Sequence, residues 1–212
     1  MKFILRVIPF LFVGNSFALD TTETGFYYPI GTANYSHACG PWLGRDPANG
    51  GCYFTGRYHI GEDMMTSGSF YSIASGKVFH KHCSDESWGP GNCALFIKHE
   101  TSSDQVFTAL YGHVRTTLKV GDLVTAGQDI GYAGPWGSGK HLHFGIRIGE
   151  SVTPAPWGRL YNSAWPATSS FIDPIDFITT NQPKYPDYSA QNNFAWTSIC
   201  GQNLPCEISG HT

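Results

Sequence analysis

Between Lys140 and Ile148 apolar and polar residues alternate, with Leu142, Phe144, Ile146 and Ile148 set against His141, His143, Gly145 and Arg147. A period of two predicts a strand with one apolar face, so both imidazoles point to the opposite side. Residues two apart on one strand face stand about 6.6 Å apart along the chain, near enough for two rings to converge on one small object. Strand-like runs precede this one at Tyr71 to Ala74, Lys77 to Cys83, Cys93 to His99, Gln105 to His113 and Gln128 to Ala133. Turn-forming clusters separate them, at Ser67-Gly68-Ser69, Ser75-Gly76, Gly89-Pro90-Gly91-Asn92, Thr101 to Asp104 and Gly121-Asp122. Short strands at this spacing predict antiparallel hairpins.

The ends of the chain lack that pattern. Residues 19 to 57 are rich in Gly, Pro, Tyr and Asn and read as irregular structure packed on the domain. A loop from Gly134 to Gly139 leads into the histidine strand, and Pro154 to Ala167 reads as a loop insertion. Asp173-Pro174-Ile175-Asp176 predicts a short helix, because proline suits the first helical position and Asp173 can cap it. The tail from Asn181 is again irregular. Lys2 and Arg6, the apolar run Ile8 to Val13 and Ser16-Phe17-Ala18 have the form of a secretory signal over residues 1–18. The organisation expected is therefore 1–18 signal peptide, 19–54 N-terminal segment, 55–180 functional domain and 181–212 tail.

Composition agrees with a mainly β protein of one domain: 14% of the 212 residues are charged, 15% are aromatic and 25 are glycine. A net charge of -3 gives no basic surface for nucleic acid. No apolar stretch is long enough for a permanent membrane anchor, so a periplasmic or secreted monomer is expected. Export accounts for an even set of six cysteines. Spacing suggests Cys39 with Cys52, Cys83 with Cys93, and Cys200 with Cys206.

The candidate chemistry lies in His59, Asp63, His113, His141 and His143. A catalytic zinc takes three protein ligands and keeps a position for water, and His59, Asp63 and one histidine of the pair would supply them. On a straight strand the Cα atoms of His59 and Asp63 would lie about 13 Å apart, so the chain is expected to bend there, with Gly61 permitting it. A helix would also bring positions four apart together, but Gly61 and Met64-Met65 make no helical stripe.

The ordered set His59-Ile60-Gly61-Glu62-Asp63, Ala109-Leu110-Tyr111-Gly112-His113, Val120-Gly121-Asp122 with Gly127-Gln128, and His141-Leu142-His143-Phe144 resembles the lysostaphin-like, or LytM-type, zinc endopeptidases over roughly residues 55 to 180. The resemblance implies an antiparallel β groove of the duplicated hybrid motif, or barrel-sandwich hybrid, type. It implies one zinc per chain held by His59, Asp63 and His143, with His113 and His141 as catalytic histidines. An upstream tyrosine often helps hold the oxyanion in this family, which points to Tyr53, with Tyr58 as the rival. The implied activity is hydrolysis of peptide bonds in peptidoglycan stem peptides or cross-bridges, through a zinc-activated water whose pKa falls toward about 7.

Two other readings stand beside this one. Relatives that lost the metal site act as non-catalytic modules that activate other wall hydrolases, but this chain keeps all five positions. A carboxypeptidase acting on D-Ala-D-Ala ends would show a longer His-to-Asp gap and a Glu before its last histidine. Elsewhere, Glu62 faces away from Asp63 in an extended segment and reads as an exposed carboxylate. His80-Lys81-His82 reads as solvated strand histidines, and His37, His99 and His211 as surface residues. Trp88, Trp136, Trp157 and Trp165 read as core or loop packing, with Trp136 placed to wall a groove.

Overall fold

In a computed structural model the residues described are 18–38, 40, 42, 57–83, 88–135, 139–150, 159–161 and 170–184. The signal peptide, Tyr53, Cys39 with Cys52, Cys200 with Cys206, Trp136, Trp157, Trp165, His211 and most of the tail lie outside them. Among the described residues no helix is long and apolar enough to cross a membrane.

The alternating runs become strands of one antiparallel sheet: β2 Glu62–Met65, β3 Ser69–Tyr71, β4 Gly76–Cys83, β5 Cys93–Glu100, β6 Val106–Arg115, β7 Leu123–Val124, β8 Asp129–Ala133, β9 His141–Ile148 and β11 Phe171–Ile172. The main order is β11-β9-β6-β5-β4-β7, with β2 added beside β9 and β8 joining β6 to β3. A separate pair joins β1 Arg57–His59 to β10 Arg159–Tyr161. That pairing corrects the reading of 154–167 as wholly loop: three of its residues find a partner strand about a hundred positions upstream, which local composition does not reveal. The strand expected over Tyr71 to Ala74 sits earlier, at Ser69–Tyr71, because β8 offers its partner there.

Alternation sorts the side chains as the pattern requires. Leu142, Phe144 and Ile146 of β9, with Phe107, Ala109 and Tyr111 of β6 and Leu95 and Ile97 of β5, fill the main core. The N-terminal segment contributes Phe26, wholly buried and in edge contact with Phe107. Helix α1 Pro174–Thr180 closes the same core with Phe177 and Ile178. Its start follows the expected chemistry: proline lies in the first turn, and Asp173 Oδ1 accepts from the amides of Ile175 and Asp176. The opposite face of the sheet carries a smaller cluster of Ile60, Trp88, Ala94, Phe96, Leu110 and Phe171. The histidines of β9 lie on that second face. Among the described residues a disulfide, Cys83 to Cys93, joins the β4 and β5 ends as the spacing suggested.

Two surface readings are corrected. His99 is 2% exposed, because on β5 it shares the core-facing parity of Leu95 and Ile97 and stacks on Phe107. Glu62 is 4% exposed. It does face away from Asp63, but the N-terminal segment covers it there.

Candidate active site

The site forms where three strands bring separate pieces of sequence into register. β2 runs antiparallel to β9, placing Asp63 opposite His143 and Met65 opposite His141. On the other edge of β9, Gly112 of β6 lies opposite His143. Cross-strand partners share a face, so a carboxylate stands on one side of His143 and the absence of a side chain on the other. His59 arrives from β1 across the break at Ile60 and Gly61, the bend that metal geometry demanded. The reason for Gly61 differs from the expected one. Its φ is not in the left-handed region; rather, a Cβ there would stand 2.5 Å from both Cε1 and Nε2 of His143. Glycine lets the imidazole lie against the backbone.

His113 reaches the site through an irregularity. In regular alternation it would follow Phe107, Ala109 and Tyr111 into the main core. Instead the β5–β6 register shifts between Cys93 and Leu95, so that Val114 and Tyr111, three apart, both face the core. His113 carries φ 58, a left-handed conformation that costs a residue with a side chain on the order of 1–3 kcal/mol. This is a β-bulge, a device that re-aims one side chain. Past it β6 leaves β9 and pairs with β8, Val114 opposite Ala133.

The donor atoms converge. His143 Nδ1 lies 2.9 Å and His59 Nε2 3.3 Å from Asp63 Oδ1, and the two nitrogens are 3.0 Å apart. Ligands bound about 2.0–2.2 Å from one zinc at tetrahedral angles stand about 3.3–3.6 Å from each other, close to these separations. All three residues are buried. Each of the three atoms can give a lone pair to one divalent cation placed between them. The donor set therefore fits a zinc. Burial pushes the Asp63 carboxyl up, but the charge of His59 and the hydrogen bonds from His143 and His59 outweigh it and hold the group well below the usual carboxylate range.

The other two histidines stand beside this triad. His141 Nε2 is 3.9 Å from Asp63 Oδ1, and its Nδ1–H donates to Gly139 O at 3.1 Å. His113 Nδ1–H donates to Trp88 O at 2.9 Å. Both bonds fix the tautomer with the lone pair on Nε2. The two rings lie 4.5 Å apart between centroids. Burial, and then the neighbouring His141, push His113 down to about 3, which keeps the imidazole neutral.

Trp88, read only as packing, is part of this construction. Its carbonyl orients His113, and its ring lies 5.4 Å from His113 and 6.0 Å from His143. A Cβ on Gly112 would stand 2.5 Å from Trp88 Cζ3, so the glycine before His113 makes room for the indole. Gly112 was the available signal, but its meaning depends on which residue crosses it. Tyr58 lies in β1, and Tyr53 is outside the described residues.

Residues 57–154 match Peptidase family M23, which bears out the resemblance drawn from the motifs. Among solved structures, the chain is similar to the catalytic domain of the antimicrobial peptidase lysostaphin from Staphylococcus simulans, at 26% identity over 69% of this chain and 92% of that one, with a TM-score of 0.42. It is similar to a variant of the catalytic domain of the prophage-encoded M23 protein EnpA from Enterococcus faecalis, at 23% identity over 63% and 93%, TM-score 0.42. A zinc containing peptidase from Vibrio cholerae matches at 22% identity over 68% and 44%, TM-score 0.43. No curated protein matches the sequence.

Proposed function

We propose that this chain, matched over residues 57–154 to a peptidase family, is an exported zinc metalloendopeptidase that hydrolyses peptide bonds in peptidoglycan stem peptides or cross-bridges. The observation that carries the reading is the meeting of His59, Asp63 and His143 within hydrogen-bonding distance of one another, with two tautomer-fixed histidines beside them. His59 Nε2, Asp63 Oδ1 and His143 Nδ1 would hold one zinc per chain. When bound, zinc supplies acidification of water and polarisation of the scissile carbonyl.

The remaining work falls to the protein. Each ring donates Nδ1–H to a carbonyl and keeps Nε2 for proton transfer. One accepts a proton from the attacking water at Nε2; the other, when protonated at Nε2, donates to the leaving amine or stabilises the oxyanion. Trp88 O and Gly139 O prevent either ring from turning over, so neither has to reorganise during the reaction. Tyr53, with Tyr58 as rival, is assigned to the oxyanion on the family resemblance alone. The catalytic unit is assigned to 55–180. Export is supported by the signal-like residues 1–18 and by the Cys83–Cys93 disulfide, which persists in an oxidising compartment.

The test is digestion of cross-linked and glycine-bridged peptidoglycan by the purified protein, with fragments identified by mass. Internal cleavage within the peptide cross-links is expected. Release of terminal D-Ala alone, or retention on the wall without any new fragment, would overturn the proposal.

A further inference from the structure

Glu62 is a carboxylate removed from water one position before a ligand of the triad, and among the described residues its hydrogen-bonding and ion-pair partners come from one short stretch of chain. Oε1 accepts from Tyr35 OH at 3.0 Å and lies 2.9 Å from His37 Nδ1, while Oε2 accepts from the Trp42 amide at 2.9 Å. The same stretch runs along the outer edge of β2. Ala38 N–H donates to Asp63 O at 3.0 Å, Asp63 N–H donates to Gly40 O at 3.2 Å, and Met65 N–H donates to Ser36 O at 2.8 Å. Both backbone groups of Asp63 are thus held from the side away from β9. Its pairing with His143 is then of the narrow, non-hydrogen-bonded kind, in which opposed side chains stand closest. That is the pairing two ligands of one ion require.

Stability does not account for the carboxylate. A buried charge of this sort is weak evidence for stability, and its retention points instead to what it holds in place. We propose that Glu62 is a positioning residue: by fastening residues 35–38, 40 and 42 along β2 it fixes Asp63 against His143, so that metal retention depends on a segment outside the region matched to the peptidase family. The inference rests on the metal reading of the triad given above.

The experiment is chelator competition for zinc on the full chain, run beside melting of the chelated protein. Glu62→Ala is expected to weaken zinc retention by about 10–100-fold, as loss of an outer-shell partner does. Glu62→Gln, which keeps an acceptor for the Trp42 amide, should recover part of that loss. Tyr35→Phe, which removes one donor and keeps the ring, should weaken retention by a smaller factor and keeps the test available if Glu62→Ala does not fold. A structural role alone would lower the melting temperature of the chelated protein and leave zinc competition unchanged; that result overturns the inference while the metal reading stands. A parent protein that takes up no zinc overturns both.

Discussion

The chain contains two H-x-H strands, and among the described residues only one of them meets a carboxylate and a third imidazole. His141 and His143 lie on β9, which is bordered by β6 on one edge and by β2 and β11 on the other. His80 and His82 lie on β4, which has the narrow β7 as its outer neighbour. In β9 both rings are buried, with Asp63 opposite one and Gly112 leaving room on the other side. In β4, His82 is exposed, and His80 is half-buried with its ring 5.1 Å from Phe96. The motif alone supplies two rings on one face. The neighbouring strands decide whether a carboxylate and a third nitrogen meet them.

The strongest way to break this comparison is within the β9 pair. His143→Ala is expected to abolish zinc retention and with it turnover, since two remaining ligands do not hold an open site. His141→Ala and His113→Ala should keep the metal and lose about two or more orders of magnitude in turnover, as expected when a proton-transfer group is removed. Elemental analysis of the three variants beside their kcat values makes the division. If His141→Ala sheds its zinc as fully as His143→Ala, the assignment of ligand and proton carrier within the strand is wrong.

A buried histidine outside the site, His99, sharpens the point that burial is not the criterion. His99 donates Nδ1–H to Ser75 O at 3.0 Å, and its Nε2 has no partner among the described residues. No carboxylate meets it, and burial pushes it down to about 4. The native state therefore binds fewer protons there than the unfolded chain. Its contribution to stability is full above about pH 6.5 and is lost as pH falls toward about 4. Between pH 7.5 and pH 5 that loss is about 2 kcal/mol. His99→Asn, which retains a donor where Nδ1 stood, should flatten the decline. Denaturant unfolding at both pH values checks it, and an equally steep decline in the variant would remove His99 as its source.

The legible part of the site was the part written locally. Alternation around His141 and His143 and the four-residue step from His59 to Asp63 state their requirements in a few positions, as does the proline-capped helix start. What was not legible depends on strand pairing across long separations. His113 reaches the site only through a bulge whose cause lies in the register of β6 against β5. Gly61 and Gly112 look like flexible positions in sequence, yet they are places where a ring from elsewhere presses on the backbone. Glu62 reads as solvated until Tyr35, His37 and Trp42 are known to lie over it. Alternation tells which way a side chain points and leaves open what covers that face.

The smallest expected effect tests the other arm of the comparison. His80→Ala and His82→Ala remove the second H-x-H without touching the triad. His82 is exposed, so its loss should change stability by no more than about 0.5 kcal/mol. His80 shares part of its surface with Phe96, and its removal should cost somewhat more, still about 1 kcal/mol or less. Zinc content and turnover should match the parent in both, because β4 reaches neither Asp63 nor His59. The measurement is zinc stoichiometry at saturation together with kcat/KM. A second equivalent of zinc in the parent that disappears in His80→Ala or His82→Ala would show that the β4 pair builds a metal site of its own, and the contrast between the two strands would fall with it.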